Sequence, residues 1–139
     1  MTAPSWVLDT NVVVSGLLVA HGFSGRLLDA VIGGALRITY DDRIEAEYRE
    51  VLSRPRFTIS PTRLEPFLDL LRIQNSVTTS PWKGHLSPDP DDQPFLEVAL
   101  HATDQILVTG NAKHFPASCR GTIKVLTPRE AWSRLVGQS

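Results

Sequence analysis

The chain has 139 residues, 42% apolar and 21% charged, with a net charge of −1 and a single cysteine. That is enough for one domain, 1–139, with a substantial core, and it excludes a disulfide-stapled fold and a protein whose overall positive field gathers nucleic acid. Cys119 suits a reducing cytoplasm, the longest apolar run (Val12 to Ala20) is too short to span a bilayer, and Met1 to Ser5 lacks a basic signal start, so a cytoplasmic protein without membrane contact is expected.

In chain order, Val7 to Asp9 reads as a short buried strand ending in a carboxylate, Asp9-Thr10-Asn11. Ser24 to Ile32 reads as a helix with Leu27, Leu28 and Val31 on one side, and Leu36 to Tyr40 alternates as a strand does. Asp42 with Glu45 forms a capping box for a helix to about Ser53, which Arg54-Pro55 stops. Thr62 with Glu65 begins another helix, whose Leu64, Phe67, Leu68 and Leu71 recur at helical spacing. Ser76 to Thr79 is a candidate short strand, and Ser80 to Asp91 a proline-rich loop. Asp92 to Thr103 is helical by pattern, with Leu96, Ala99 and Leu100 on one face. Ile106 to Thr109 is a buried strand and Thr122 to Leu126 the last one. Thr127-Pro128-Arg129-Glu130 then combines an N-cap, a proline at the first helical position and a glutamate at the third. Strands separated by helices imply an α/β fold with a mostly parallel sheet covered on both faces. Such sheets bind ligands outside the carboxyl ends of their strands.

That rule sorts the acidic residues. Asp9 follows the first apolar strand and belongs at the carboxyl edge; the alternative is an N-cap for the segment from Asn11. Glu47 fills the i+3 slot of the stripe Ile44, Tyr48, Val51. A carboxylate on a packed face must be bound to a cation or paired, here with Arg43 or Arg54. Glu45 and Arg49 form an i, i+4 surface pair. Asp92 opens a helix at the mouth of the sheet, with capping as its alternative and Asp89 and Asp91 as competitors, Asp89 being the fallback. Asp104 follows that helix and precedes the next strand, so it falls at the opposite edge. Asn111, in Val108-Thr109-Gly110-Asn111, reaches the correct edge as a weak carbonyl ligand or water holder, and Thr109 is placed to hold a carboxylate. Two carboxylates ~4 Å apart repel by about 4 kcal/mol at an effective dielectric near 20. A divalent cation relieves this, and oxygen-only ligands favour magnesium or manganese.

Other signals are absent. The sequence has no Walker A loop, no GxGxxG, and no metal-ligand spacing among His21, His85, His101 and His114. Cys119 lacks an adjacent activating base.

Read together, these residues resemble the PIN-domain ribonucleases, in particular the VapC-like toxin components of bacterial toxin–antitoxin pairs. The likeness covers nearly the whole chain. It rests on Leu8-Asp9-Thr10-Asn11-Val12, on Glu47 to Pro55, on Asp89-Pro90-Asp91-Asp92, on Val108 to Pro116 and on Val125 to Glu130. It implies a three-layer α/β/α sandwich and a magnesium-dependent ribonuclease whose acidic positions fall on Asp9, Glu47 and Asp92. Asn111 stands where many members have a further aspartate, which bears on a second metal ion. A toxin role implies a cognate antitoxin, and the family implies a homodimer. Arg54, Arg56, Lys83, Lys113 and His114 are candidate RNA phosphate contacts, and Trp82 a stacking platform. Two alternatives remain open: a catalytically silent PIN domain that binds an antitoxin or RNA, and another magnesium-dependent phosphohydrolase.

Overall fold

Four short strands form one sheet in the computed structural model, which describes residues 3–74 and 88–137. They are β1 (Ser5–Leu8), β2 (Arg37–Ile38), β3 (Ile106–Val108) and β4 (Lys124–Leu126), in the order β2-β1-β3-β4, and every pairing is parallel. Trp6 pairs with Ile38, and Leu8 with Val108. Trp6, Val7 and Leu8 are fully buried, as are Leu107 and Val108. Neighbouring residues of a strand point to opposite faces, so continuous burial means that both faces are covered and the molecule has three layers. The candidate strand at Ser76–Thr79, with Trp82 and Lys83, lies outside the described residues.

The polarity of the sheet decides where chemistry can occur. From β1 the chain crosses to β2 on one side, and β3 and β4 lie on the other. The reversal leaves a crevice at the carboxyl ends of β1 and β3. Asp9 and Thr109 are the first residues beyond those ends.

Among the described residues, five α-helices lie between strands and a sixth follows β4. α1 (Thr10–Leu18) begins directly after Asp9; the alternative of Asp9 as an N-cap for the segment from Asn11 is the one sequence signal for it, and the apolar run from Val12 shows no helical stripe. Three consecutive valines carry no helical period, and Thr10, Val12, Val13, Val14, Gly16 and Leu17 are all buried. Packing against α2 (Phe23–Gly33), across a 92° bend, imposes the helix where local propensity does not. Gly16 permits that contact, because a Cβ there would lie 2.6 Å from Leu28 Cδ2. Gly34 closes α2 at φ 89°, a left-handed turn that suits glycine. No single helix among the described residues is long and apolar enough to cross a membrane.

α3 (Asp42–Leu52) is capped by Asp41, not by Asp42 as the capping-box pattern suggests. The Asp41 carboxylate accepts from Ile44 N–H at 3.0 Å. A 3-10 turn over Pro55–Phe57 follows α3. α4 (Pro61–Ile73) starts with Pro61, one residue before Thr62, and buries Phe67 and Leu71. A 3-10 turn at Pro90–Asp92 leads into α5 (Gln93–His101), which packs over β1 and β3. α6 (Pro128–Gly137) has the predicted capping box in both directions. Glu130 N–H donates to Thr127 Oγ1 at 3.1 Å, and Thr127 N–H to Glu130 Oε1 at 2.9 Å. Asp104 accepts from Ser5 N–H at 3.1 Å, at the amino-terminal end of β1 and away from the crevice.

Candidate active site

Asp9 is held on three sides. Its Oδ1 accepts from Thr10 N–H at 2.8 Å, and its Oδ2 accepts from the Thr109 hydroxyl at 2.7 Å and from the Asn11 amide at 3.3 Å. It therefore caps α1 and occupies the crevice at once, so the two readings of this residue are compatible. Asp9 is 5% exposed, and burial raises its pKa above the ordinary carboxylate value despite these donors. Thr109 is itself anchored, since Asn111 N–H donates to its hydroxyl at 3.1 Å. Asn11 accepts from Gly110 N–H at 3.3 Å, which ties the segment after β1 to the segment after β3.

Glu47 reaches the same edge from α3. The neighbouring Tyr48, fully buried, donates its hydroxyl to the carbonyl of Leu8 and packs edge-on against Phe67, with ring centroids 6.0 Å apart. This pins the middle of α3 to the end of β1. Glu47 then accepts from the Thr10 hydroxyl. Its pKa is raised, first by burial and then by the charges of Asp9, Asp91 and Glu50, against the Thr10 bond. The arginines considered as partners for Glu47 are engaged elsewhere. Arg54 pairs with Glu50 at 2.8 Å, and Arg43 bridges Asp41 at 2.7 Å and Glu97 at 2.5 Å.

Asp92 completes the edge. It stands at the N-cap position of α5 but makes no capping bond, whereas Asp89 caps the preceding turn by accepting from Asp91 N–H at 2.9 Å. Asp89 is thus spent on the backbone, and Asp92 turns its carboxylate inward. Its Oδ2 is buried, makes no hydrogen bond, and lies 3.2 Å from His114 Nδ1. Burial and then Asp9 push its pKa up to about 6, with Asp89 and Glu47 adding to the rise and His114 opposing it. His114 Nε2 is 2.9 Å from the Asn111 amide nitrogen, an arrangement in which the amide donates and Nδ1–H faces Asp92.

Asp9, Glu47 and Asp92, distant in the chain, therefore share one crevice, where the charge of Asp9 raises the pKa of both Glu47 and Asp92 and that of Glu47 adds to the rise at Asp92. The sequence reading did not find Thr10 as the group orienting Glu47, Tyr48 as the anchor of α3, or His114 as a neighbour of Asp92. Only Tyr48 left a signal, as an aromatic residue in the apolar stripe of α3. Among the described residues, no three His, Cys, Asp or Glu side chains stand close enough to enclose a cation unaided. The residues still suit a hard divalent ion that keeps much of its water. The donors are carboxylate oxygens, one of them buried without a hydrogen bond; burial raises the pKa of all three carboxyls, and neighbouring carboxylates add to the rise at Glu47 and Asp92, a cost of ionisation that a cation would offset.

An α/β domain with an acidic crevice at the reversal of a parallel sheet carries its charged groups where open sheets of this class bind ligands. The family profile described as the PIN domain matches residues 5–113, from the start of β1 through the turn after β3, and the chain belongs to the PIN-domain family. Its fold is thus a nuclease fold. No curated protein and no solved structure matches the chain.

Proposed function

We propose that this chain is a magnesium- or manganese-dependent endoribonuclease, the toxin component of a toxin–antitoxin pair. The observation that carries the nuclease reading is the crevice in which Asp9, Glu47 and Asp92 all have raised pKa values. A bound divalent ion there supplies an activated water and stabilises charge on the phosphoryl oxygens. Asp9 and Asp92 would hold it, with Glu47 directly or through water. Thr109, Asn11 and the Thr10 N–H fix the rotamer of Asp9, and the Thr10 hydroxyl fixes Glu47. Asn111 holds Thr109 through its backbone and His114 through its amide, and so sets the side of the crevice nearest Asp92. RNA phosphates approach an acidic mouth on a chain of net charge −1. Cations are therefore needed on its rim: Arg54 and Arg56 beyond α3, and Lys113 beyond β3, with the His114 ring as a further hydrogen-bonding group.

The toxin role rests on the motif resemblance and brings with it a cognate inhibitor protein, a homodimer and a cytoplasmic location. The test is cleavage of a fluorescent single-stranded RNA titrated with magnesium. Wild type should cleave and chelator should stop it, while Asp9→Asn should keep its circular dichroism and lose at least about a hundredfold in rate. Wild-type rates in Asp9→Asn overturn the assignment. Growth arrest on expression, relieved by a short neighbouring reading frame, tests the toxin role.

A further inference from the structure

The acidic crevice does not end at Thr10 and Asn11. Those two residues also begin a groove of about 400 Å³ that runs between α1 and the end of α3, lined by Val14, Leu18, Val51 and Phe57 and rimmed by Arg54 and Arg56. Residues 10, 11, 14, 15 and 18 form one stripe of α1. At ~1.5 Å per residue the groove extends roughly 10 Å from the carboxylates. Its floor is apolar, and Leu18, 43% exposed, is among the more exposed large hydrophobic residues of the described chain. The Arg56 guanidinium lies over the Phe57 ring, 4.8 Å from its centroid. Arg54 is steadied by two hydrogen bonds to Glu50, at 3.2 and 2.8 Å.

We infer that this groove is a nucleotide subsite, which receives an unpaired base of the RNA strand next to the bond that is cut. The inference rests on the nuclease reading and adds to it where the substrate lies. Charge and shape select this occupant. An apolar floor with a stacked guanidinium–aromatic pair suits a base of any sequence, because every base has a π-face. Two arginines on the rim match the phosphates on either side of that base, and the guanidinium fork suits phosphate geometry. Continuity through Thr10 and Asn11 delivers the strand from the groove to Asp9 and Glu47. Beyond β3, the turn that carries His114 beside Asp92 also carries Lys113, so a cation lies past the carboxylates and the path crosses them instead of ending at them. A base held by stacking leaves sequence largely unread, and the expected substrate is single-stranded RNA with weak preference at this position.

The test uses the full chain and a short fluorescein-labelled single-stranded RNA of mixed sequence. Binding is read by anisotropy in chelator, and cleavage kinetics in magnesium. Leu18→Glu places a carboxylate on the groove floor, and Arg56→Lys keeps the charge but removes the stacking plane. Leu18→Met is the conservative control, and thermal unfolding checks that each variant is folded. Loss of one stacked base corresponds to about tenfold to hundredfold in affinity. Leu18→Glu should therefore weaken binding and raise KM by about tenfold or more, with a smaller change in kcat. Arg56→Lys should do so less, and Leu18→Met should match wild type. If wild type does not cleave RNA but its binding shows this pattern, the nuclease reading falls and takes the subsite beside a cut bond with it, leaving the groove as an RNA-binding surface. If cleavage is intact and neither binding nor KM moves in folded Leu18→Glu and Arg56→Lys, the subsite is refuted and the nuclease reading stands. Groove variants that release an inhibitor protein while RNA affinity is unchanged also refute it, since the groove then holds a peptide.

Discussion

Replacing Asp92 by asparagine should make the metal-free protein more stable while disabling it. Asp92 is a half-buried carboxylate with one oxygen lacking a hydrogen bond, close enough to Asp9 and Glu47 to feel both charges. A carboxyl raised from 3.8 to about 6 represents at most about 3 kcal/mol of strain at neutral pH, at about 1.4 kcal/mol for each pH unit. The mouth is open to solvent, and His114 is 46% exposed, so screening reduces the usable figure to about 1–2 kcal/mol. The folded-state pKa lies above the unfolded one. The stabilising contribution is therefore complete below about pH 3.8 and is lost as pH rises through about 6. Asparagine carries no such charge, and in a domain of this size 1–2 kcal/mol corresponds to roughly 3–8 °C in Tm. In chelator at pH 7.5, Asp92→Asn should melt higher than wild type by about that amount, and the gap should shrink towards pH 5. Magnesium should then raise the Tm of wild type more than that of the variant, because binding to the folded state stabilises by mass action. A lower Tm for Asp92→Asn at pH 7.5 would refute the account, and so would a gap that does not depend on pH.

Two further predictions concern the scaffold. Arg43 bridges Asp41, which caps α3, and Glu97, a carboxylate 7% exposed on α5; Arg43→Ala removes that counter-charge and should cost about 2 kcal/mol by urea unfolding, whereas a loss under about 0.5 kcal/mol would show the bridge to be surface decoration. Gly16→Ala sets a helix-propensity gain of about 1 kcal/mol against overpacking of about 1–3 kcal/mol, with the new Cβ 2.6 Å from both Leu28 Cδ2 and Ser24 O; the contact with a backbone oxygen should win and lower the Tm, and a raised Tm would mean that α2 shifts freely.

Helix α4 and strand β3 were legible because an apolar pattern in the sequence is matched by burial, as with Phe67 and Leu71 or the unbroken run of β3, whereas the strand expected over Leu36 to Tyr40 contracts to Arg37–Ile38 and β4 is exposed to half-buried. α1 was not legible. Its residues are apolar nearly all round and β-branched in a row, so neither a helical stripe nor propensity marks it, and the helix exists because α2 packs across it. The cap of α3 was misplaced by one residue for a related reason. Asp41 and Asp42 are equivalent as letters, and only the backbone direction at Asp41 aims a carboxylate at Ile44 N–H.

The site separates the same way. Which elements carry carboxylates to the crevice follows from sequence, because a residue just past a parallel strand has only one edge to occupy, and a charge inside an apolar stripe must have a partner. What each carboxylate does once there depends on contacts between segments far apart in the chain. Asp9 offers about four lone-pair positions, and Thr10, Asn11 and Thr109 take three, so capping a helix still leaves capacity for a cation. Asp89 spends its carboxylate on Asp91 N–H, and this frees Asp92 from capping. A single exchange of those two roles would aim the buried oxygen at the backbone instead of the crevice. The strain at Asp92 thus follows from a turn three residues earlier, and the Asp92→Asn melting experiment measures how much stability the fold gives up to hold that oxygen ready.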